Sequence, residues 1–211
     1  MAYYYKLLHQ NMTSYDGMRW ELNKPNFAIG NGNKLCSADV LHCYADPELA
    51  VVLNPIHADI PFPRLFLIRA TKAVANDGTK VGTKKQTIIK ELPLPVISTK
   101  VLVAFAILCA CEIYHDPKFT TWAHKWLSGE DRTRKGAKNA AAYAAAAYAA
   151  AAAAAAYAAT YAAAAAYDAT AAAYAADAAA AAYDATAAAY AATHEQQLNL
   201  IQLLQKAKQY A

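Results

Sequence analysis

The chain has 211 residues, a net charge of +4, 57% hydrophobic residues and 17% charged ones. So small a positive excess leaves no electrostatic footprint for nucleic acid, and none is expected as a partner. The length allows one or two domains, and composition divides it: every Gly, Pro and Trp lies before Ala137, whereas Asn139 to Thr193 is almost all Ala and Tyr.

"YYYKLL" at the start reads as an aromatic-rich strand, "NMTSYDG" as a turn and "MRWEL" as the returning strand. "NKPNFAIGNGNK" is loop chemistry throughout; its glycines have neither P-loop nor dinucleotide spacing and carry no phosphate signal. In "ADPELAVVLNP", Asp46 is placed to cap a helix that Pro47 opens, with Glu48 in the first turn and Asn54-Pro55 as the expected stop. "RLFLIRATKAVANDGTKVGTKKQTIIKEL" reads as two strands joined through "NDG", with Val74 and Val81 on its flanks and Ile88 and Ile89 on the return. The prolines of "PLP" at 93–95 mark the end of a first domain.

Beyond them, Ser98 or Thr99 starts a helix to about Tyr114, apolar nearly all round and therefore buried. Asp116-Pro117 starts the next, Gly129 ends it, and Phe119, Trp122 and Trp126 form one core-facing stripe. Alanine has the highest helix propensity, so residues 137–193 are expected to be helical. One straight helix of that length would reach ~85 Å at 1.5 Å per residue. Side chains so small cannot shield it alone, and the repeated "YDATAAAYAA" would face nearly opposite ways along it. Several shorter helices are expected instead, one starting at a Thr193/Gln196 capping box. Their seams would be packed by Tyr143, Tyr157, Tyr161, Tyr167, Tyr174, Tyr183 and Tyr190. The threonines at 160, 170, 186 and 193 lack the even spacing that ice binding needs. The tail "HEQQLNLIQLLQKAKQY" is amphipathic, with Leu198, Ile201 and Leu204 or Ala207 as its face.

The richest polar cluster holds Cys36, Asp39, His42, Cys43, Asp46 and His57. Cys36 and Cys43 are too far apart for a zinc pair, so no metal and no other cofactor is expected. Any Cys and His in one small domain suggest a nucleophile pair; Cys43 with His57 has no further support, and no catalytic residue is assigned. His42 and Tyr44 read first as structural, on a half-buried strand. Lys72, Lys80, Lys84, Lys85 and Lys90 make the "NDG" region basic. The candidate contacts for a ligand or partner are His42, Tyr44, His57, Lys72, Lys84 and Lys85. The alanine tract lacks Leu, Ile, Val and Phe, so no membrane span is expected. "MAYYYKLLHQ" has no basic-then-apolar leader, which points to the cytoplasm and free thiols.

Residues 3–95, through "LCSADVLHCYADPELAVVL", "RLFLIRAT" and "TKKQTIIKEL", resemble an uncharacterised domain of phage and bacterial proteins. That family has Gly-Phe-His-Ala-Cys where this chain has Val40-Leu41-His42-Cys43-Tyr44, so its glycine is missing. The order of elements also resembles the ADP-ribosyltransferase fold, whose enzymes carry an Arg-Ser-Glu or His-Tyr-Glu set. Their last glutamate would fall near Gln86, which implies a lost activity. Residues 100–211, through "VAFAILCACEIYHDPKFTTWAHKWLSGE", are similar in organisation to bacterial immunity proteins, which implies a protein that binds and neutralises something.

The expected fold is α+β: a small mixed domain at 1–95, then an Ala/Tyr-rich multi-helix bundle at 96–211. The expected function is non-enzymatic binding of phage or mobile-element type, in defence or counter-defence, within the host cytoplasm if phage-encoded. It would act by docking on a protein partner or sequestering a small ligand. A degenerate ADP-ribosyltransferase-like enzyme is the alternative, and an assembly protein forming homo-oligomers through its alanine helices is a further one.

Overall fold

A computed structural model describes residues 1–151, 159, 162–164, 166 and 198–210, with the backbone alone at 143 and 145–151. The fold is α+β, in two units, Met1–Val96 and Ile97–Ala211.

In the first unit the strands are β1 (Ala2–Leu8), β2 (Pro25–Phe27), β3 (Leu41–Cys43), β4 (Arg64–Ala70), β5 (Ala75–Asn76), β6 (Val81–Thr83) and β7 (Lys85–Leu92). They form an antiparallel sheet in the order β1-β4-β7-β2 and a second in the order β3-β6-β5. Only Lys84 separates β6 from β7, so one nearly continuous strand passes from sheet to sheet. At the opposite side Tyr5 and Tyr44 exchange backbone hydrogen bonds of 2.9 and 2.8 Å, tying β1 to the end of β3. Trp20, Leu8, Phe66, Ile68, Cys43, Val81 and Ile88 form a common core from both sheets.

Four expectations change. "MRWEL" is not the partner of β1: Arg19 bridges only Thr13, and Leu22 bridges Ile88 in parallel. The partner is β4, in register from Ala2↔Ala70 to Leu8↔Arg64, a pairing that buries Leu7, Leu8, Leu65, Phe66 and Ile68 together. Trp20 enters the core from an irregular segment, 1% exposed, with its Nε1 donating to Ser14 Oγ at 3.0 Å. The supposed loop at 23–34 contains β2, because Asn26 and its neighbours pair with Gln86 on β7.

The "NDG" turn joins β5 to β6 in the smaller sheet. The longer strands β4 and β7 pair directly, with a bulge that leaves Ile89 unmatched between Leu67↔Lys90 and Ile68↔Ile88. Asp77 holds the turn by accepting from Thr79 N, Thr79 Oγ1 and Lys80 N. Helix α1 (Pro47–His57) is capped by Asp46, which accepts from Glu48 N and Leu49 N, both at 2.9 Å. It runs through Pro55 instead of stopping there. So near the end, the proline removes only one hydrogen bond. Asn54 also secures the exit, its amide donating to Ile60 O and accepting from Ile60 N.

The second unit contains α2 (Thr99–Cys111), α3 (Pro117–Ser128), α4 (Arg134–Ala151) and α5 (Leu200–Ala207), then a 3-10 turn at Lys208–Tyr210. Ser98 caps α2, which is buried from Val101 to Ala110. Asp116 caps α3, Gly129 ends it at φ 85, and Phe119, Trp122 and Trp126 are buried. Helix α4 begins before the alanine run. Thr133 Oγ1 accepts from Gly136 N at 3.1 Å, and Asp131 anchors that threonine through its N and Oγ1. Ala137, Ala140 and Ala144, at spacings of three and four, are at most 1% exposed, and α4 packs against α3. The face of α5 is Leu200, Leu203, Leu204 and Ala207, a stripe that leaves Ile201 at its half-buried margin. Arg132 closes the unit: it donates to Trp126 O, Leu127 O and Tyr210 O, and stacks 4.8 Å over Trp126.

The Thr193/Gln196 start and Tyr157, Tyr161, Tyr167, Tyr174, Tyr183 and Tyr190 lie outside the described residues; Tyr143 is described only as a backbone position of α4. No helix among the described residues is long and apolar enough to cross a membrane.

Candidate functional site

Alternation along β3 puts His42 and Tyr44 on one side of the strand and Leu41 and Cys43 on the other. Helix α1 ends at His57, which meets Tyr44: the hydroxyl lies 3.0 Å from Nδ1, and the rings stack with centroids 5.8 Å apart. His42 Nε2 accepts from Cys36 N at 2.9 Å. An accepting Nε2 fixes the neutral tautomer with its proton on Nδ1. The structure thus brings together His42, Tyr44 and His57, with Lys80 and Asp77 of the β5–β6 hairpin close enough for both imidazoles to feel their charges.

Lys6 is the member that sequence reasoning missed. It lies on the core side of β1 between Tyr4 and Leu8, 7% exposed. Its ammonium donates to His42 O at 2.7 Å and sits 4.5 Å over the Trp20 ring. Alternation was the available signal, since a strand that turns Leu8 inward turns Lys6 inward as well.

Burial shapes the electrostatics. It lowers Lys6 to about 8, against the raising effects of Cys43 and Asp16. Desolvation, then the charges of Lys6 and Lys80, brings His42 down to about 4. Desolvation followed by Lys80 brings His57 to about 4. The Cys43 thiol is pushed up to about 12 by burial, and its Sγ faces Val81 O at 3.5 Å. Burial also raises Tyr44. At neutral pH the cluster therefore holds two uncharged imidazoles, a thiol and a phenol. A thiol so protonated is a poor nucleophile. Among the described residues no three His, Cys, Asp or Glu side chains gather as a metal would require.

The lysines go elsewhere. Lys84, at the kink between the sheets, donates to Gly30 O at 3.4 Å, Asp39 O at 2.6 Å and Gly32 O, clamping the 30–39 loop. Gly30 and Gly32 are needed there because a Cβ on either would collide with Asp39, which accepts from Gly32 N at 3.1 Å. Lys85 opens β7 with its ammonium 5.2 Å from the Phe27 ring. Lys72 is exposed after β4. Gln86 is fully buried and donates to Leu41 O at 2.8 Å and Thr83 Oγ1 at 3.1 Å, so it braces β3 and β6.

Residues 2–99 match the model of a family described as a domain of unknown function, DUF7666. No curated protein and no solved structure matches the chain.

Proposed function

We propose that the chain is a non-enzymatic binding protein of phage or mobile-element type, acting in defence or counter-defence by holding a protein or a small ligand. One observation carries this reading. The first unit's reactive groups spend their polar atoms on the fold itself: His42 on the Cys36 amide, Tyr44 on His57, and Lys6 on the His42 carbonyl. General acid–base catalysis needs a group poised near the working pH and within reach of substrate. Histidines near 4 and a thiol near 12 are poised far from it, and Lys6, near 8, is buried with its ammonium on the His42 carbonyl. The resemblance to ADP-ribosyltransferases would put their last glutamate near Gln86, a side chain that is buried and bonded to Leu41 O and Thr83 Oγ1. The resemblance of residues 100–211 to immunity proteins supports a binding role for the helical unit as well.

Incubation of the full chain with labelled NAD and host lysate tests the reading. Neither transfer of label nor NAD hydrolysis is expected. Hydrolysis or transfer that disappears in His42→Gln or Tyr44→Phe, with folding unchanged by circular dichroism, would establish an enzyme instead.

A further inference from the structure

The larger sheet has one face only partly covered. Tyr3, Tyr5 and Leu7 share that face by alternation, and register extends it across the strands: Tyr3 lies opposite Arg69, Arg69 opposite Thr87, and Thr87 opposite Pro25. At one end Leu7 and its partner Leu65 are buried, and α1 packs beside β1. At the other end the face is open, with Tyr3 62% and Phe27 59% exposed. Arg69 is exposed as well. Here a cleft of about 130 Å³ is lined by Arg69, Thr71, Lys85 and Thr87, with Met1 and Pro25 as its apolar wall. Among the described residues lining it there is no carboxylate.

We propose that this cleft binds the phosphate of a nucleoside monophosphate, whose base stacks on Tyr3. Arg69 offers a planar fork of donors, which suits phosphate oxygens, and Lys85 a second cation from the neighbouring strand. Thr87 on β7 and Thr71, the residue after β4, add hydroxyl donors. Tyr3 lies outside the cleft, opposite Arg69 on the next strand and about 5 Å away across the sheet, and its exposed ring offers a stacking surface beside the phosphate site. The cleft holds one phosphate and part of a sugar, not a polymer track. The inference rests on the binding reading only in that the ligand is held and not consumed.

The test is a titration of the full chain with adenosine 5′-monophosphate, inorganic phosphate and adenosine, followed by amide chemical shifts. The monophosphate is expected to move Tyr3, Arg69, Thr71, Lys85 and Thr87, inorganic phosphate to bind the same site at least tenfold more weakly, and adenosine to leave it unmoved. R69Q/K85Q should weaken the monophosphate at least tenfold, and Y3A should weaken it without affecting inorganic phosphate. Unmoved residues, equal affinity for adenosine, or full affinity in R69Q/K85Q would overturn the proposal. If R69Q/K85Q does not fold, R69Q alone decides, since that side chain is exposed. A 5′-phosphorylated single-stranded tetranucleotide should bind no more tightly than the monophosphate; a tenfold preference for it makes the occupant a nucleic-acid end and overturns the free nucleotide. Loss of the monophosphate's phosphate over hours would sink the binding reading while leaving the site in place.

Discussion

In the first unit, Trp20, Phe66, Ile68 and Ile88 fill the space between two sheets, and polar groups follow them inside: Lys6, Thr83 and Gln86 are all buried. In the second, α2 buries Val101 to Ala110 without one charged side chain, and α4 buries Ala137, Ala140 and Ala144. A buried polar group costs stability unless it finds a partner, so the first core specifies its neighbours through hydrogen bonds. Gln86 to Leu41 O and Lys6 to His42 O are two such specifications. Alanine specifies through proximity alone. It lets backbones approach closely and leaves the large apolar area to a few anchors such as Phe119 and Trp126.

The sharpest way to separate the two designs is to change volume in each. Phe66→Ala should destabilise the first unit by about 3–5 kcal/mol, because its ring is fully buried between the sheets. Adding volume should also do harm in the second: Ala140→Leu forces a larger side chain onto the buried face of α4, at about 1–3 kcal/mol. Ala142→Leu, on the exposed side of α4, should stay within about 0.5 kcal/mol. Urea denaturation read by hydrogen exchange in peptides of each unit measures all three. A neutral Ala140→Leu would show that the alanine seam is loosely packed, and the contrast would fail.

Sequence revealed those parts of the design that are decided locally. Both Asp-Pro helix starts were legible, because a cap involves residues two and three positions away. Gly129 was legible for the same reason. The partner of β1 was not, since β4 lies about sixty residues downstream and its register is chosen by which leucines are buried together. Pro55 misled because its cost depends on how near the helix end it falls. In the site, His42, Tyr44 and His57 were singled out, but their meeting depends on α1 returning to β3. The cleft beside Arg69 and Lys85 draws on three strands and a segment near Asn23, and no stretch of sequence displays it.

Acid should also distinguish the units. His42 and His57 have folded values near 4 against an ordinary 6.5, so the unfolded chain binds more protons between those limits. Stability is therefore complete above pH 6.5 and falls as pH drops towards 4. With solvent screening at these partly exposed rings, on the order of 1–2 kcal/mol per histidine is expected. Protonation at Nε2 would also remove the acceptor of the Cys36 amide, so the 30–39 loop should exchange first. His42→Gln keeps an acceptor without titrating there and should flatten its share. Lys6 acts at the other end: its folded value near 8 lies below its ordinary 10.5, so stability should rise from pH 8 to 10.5. Exchange of peptides from each unit across pH 4 to 10.5 checks both limbs. Acid lability confined to the second unit would contradict the histidine assignment.

The smallest effect tests where the contrast ends. Asp46 accepts from Glu48 N and Leu49 N, both at 2.9 Å, and Asp116 accepts from Lys118 N and Phe119 N at 2.9 and 3.2 Å. Each stands before a proline at the first helical position. The same two amide donors are satisfied in a mixed core and in an all-helical one, so each Asp→Ala change should cost about 1 kcal/mol, and Asp→Asn much less. Thermal unfolding of the four variants measures this. A cost for Asp46→Ala more than about 1 kcal/mol above that for Asp116→Ala would mean that the cap also holds Tyr44 against His57. Near-equality would mean that capping is indifferent to the core behind it, and that the two units differ only in how their helices and sheets are packed.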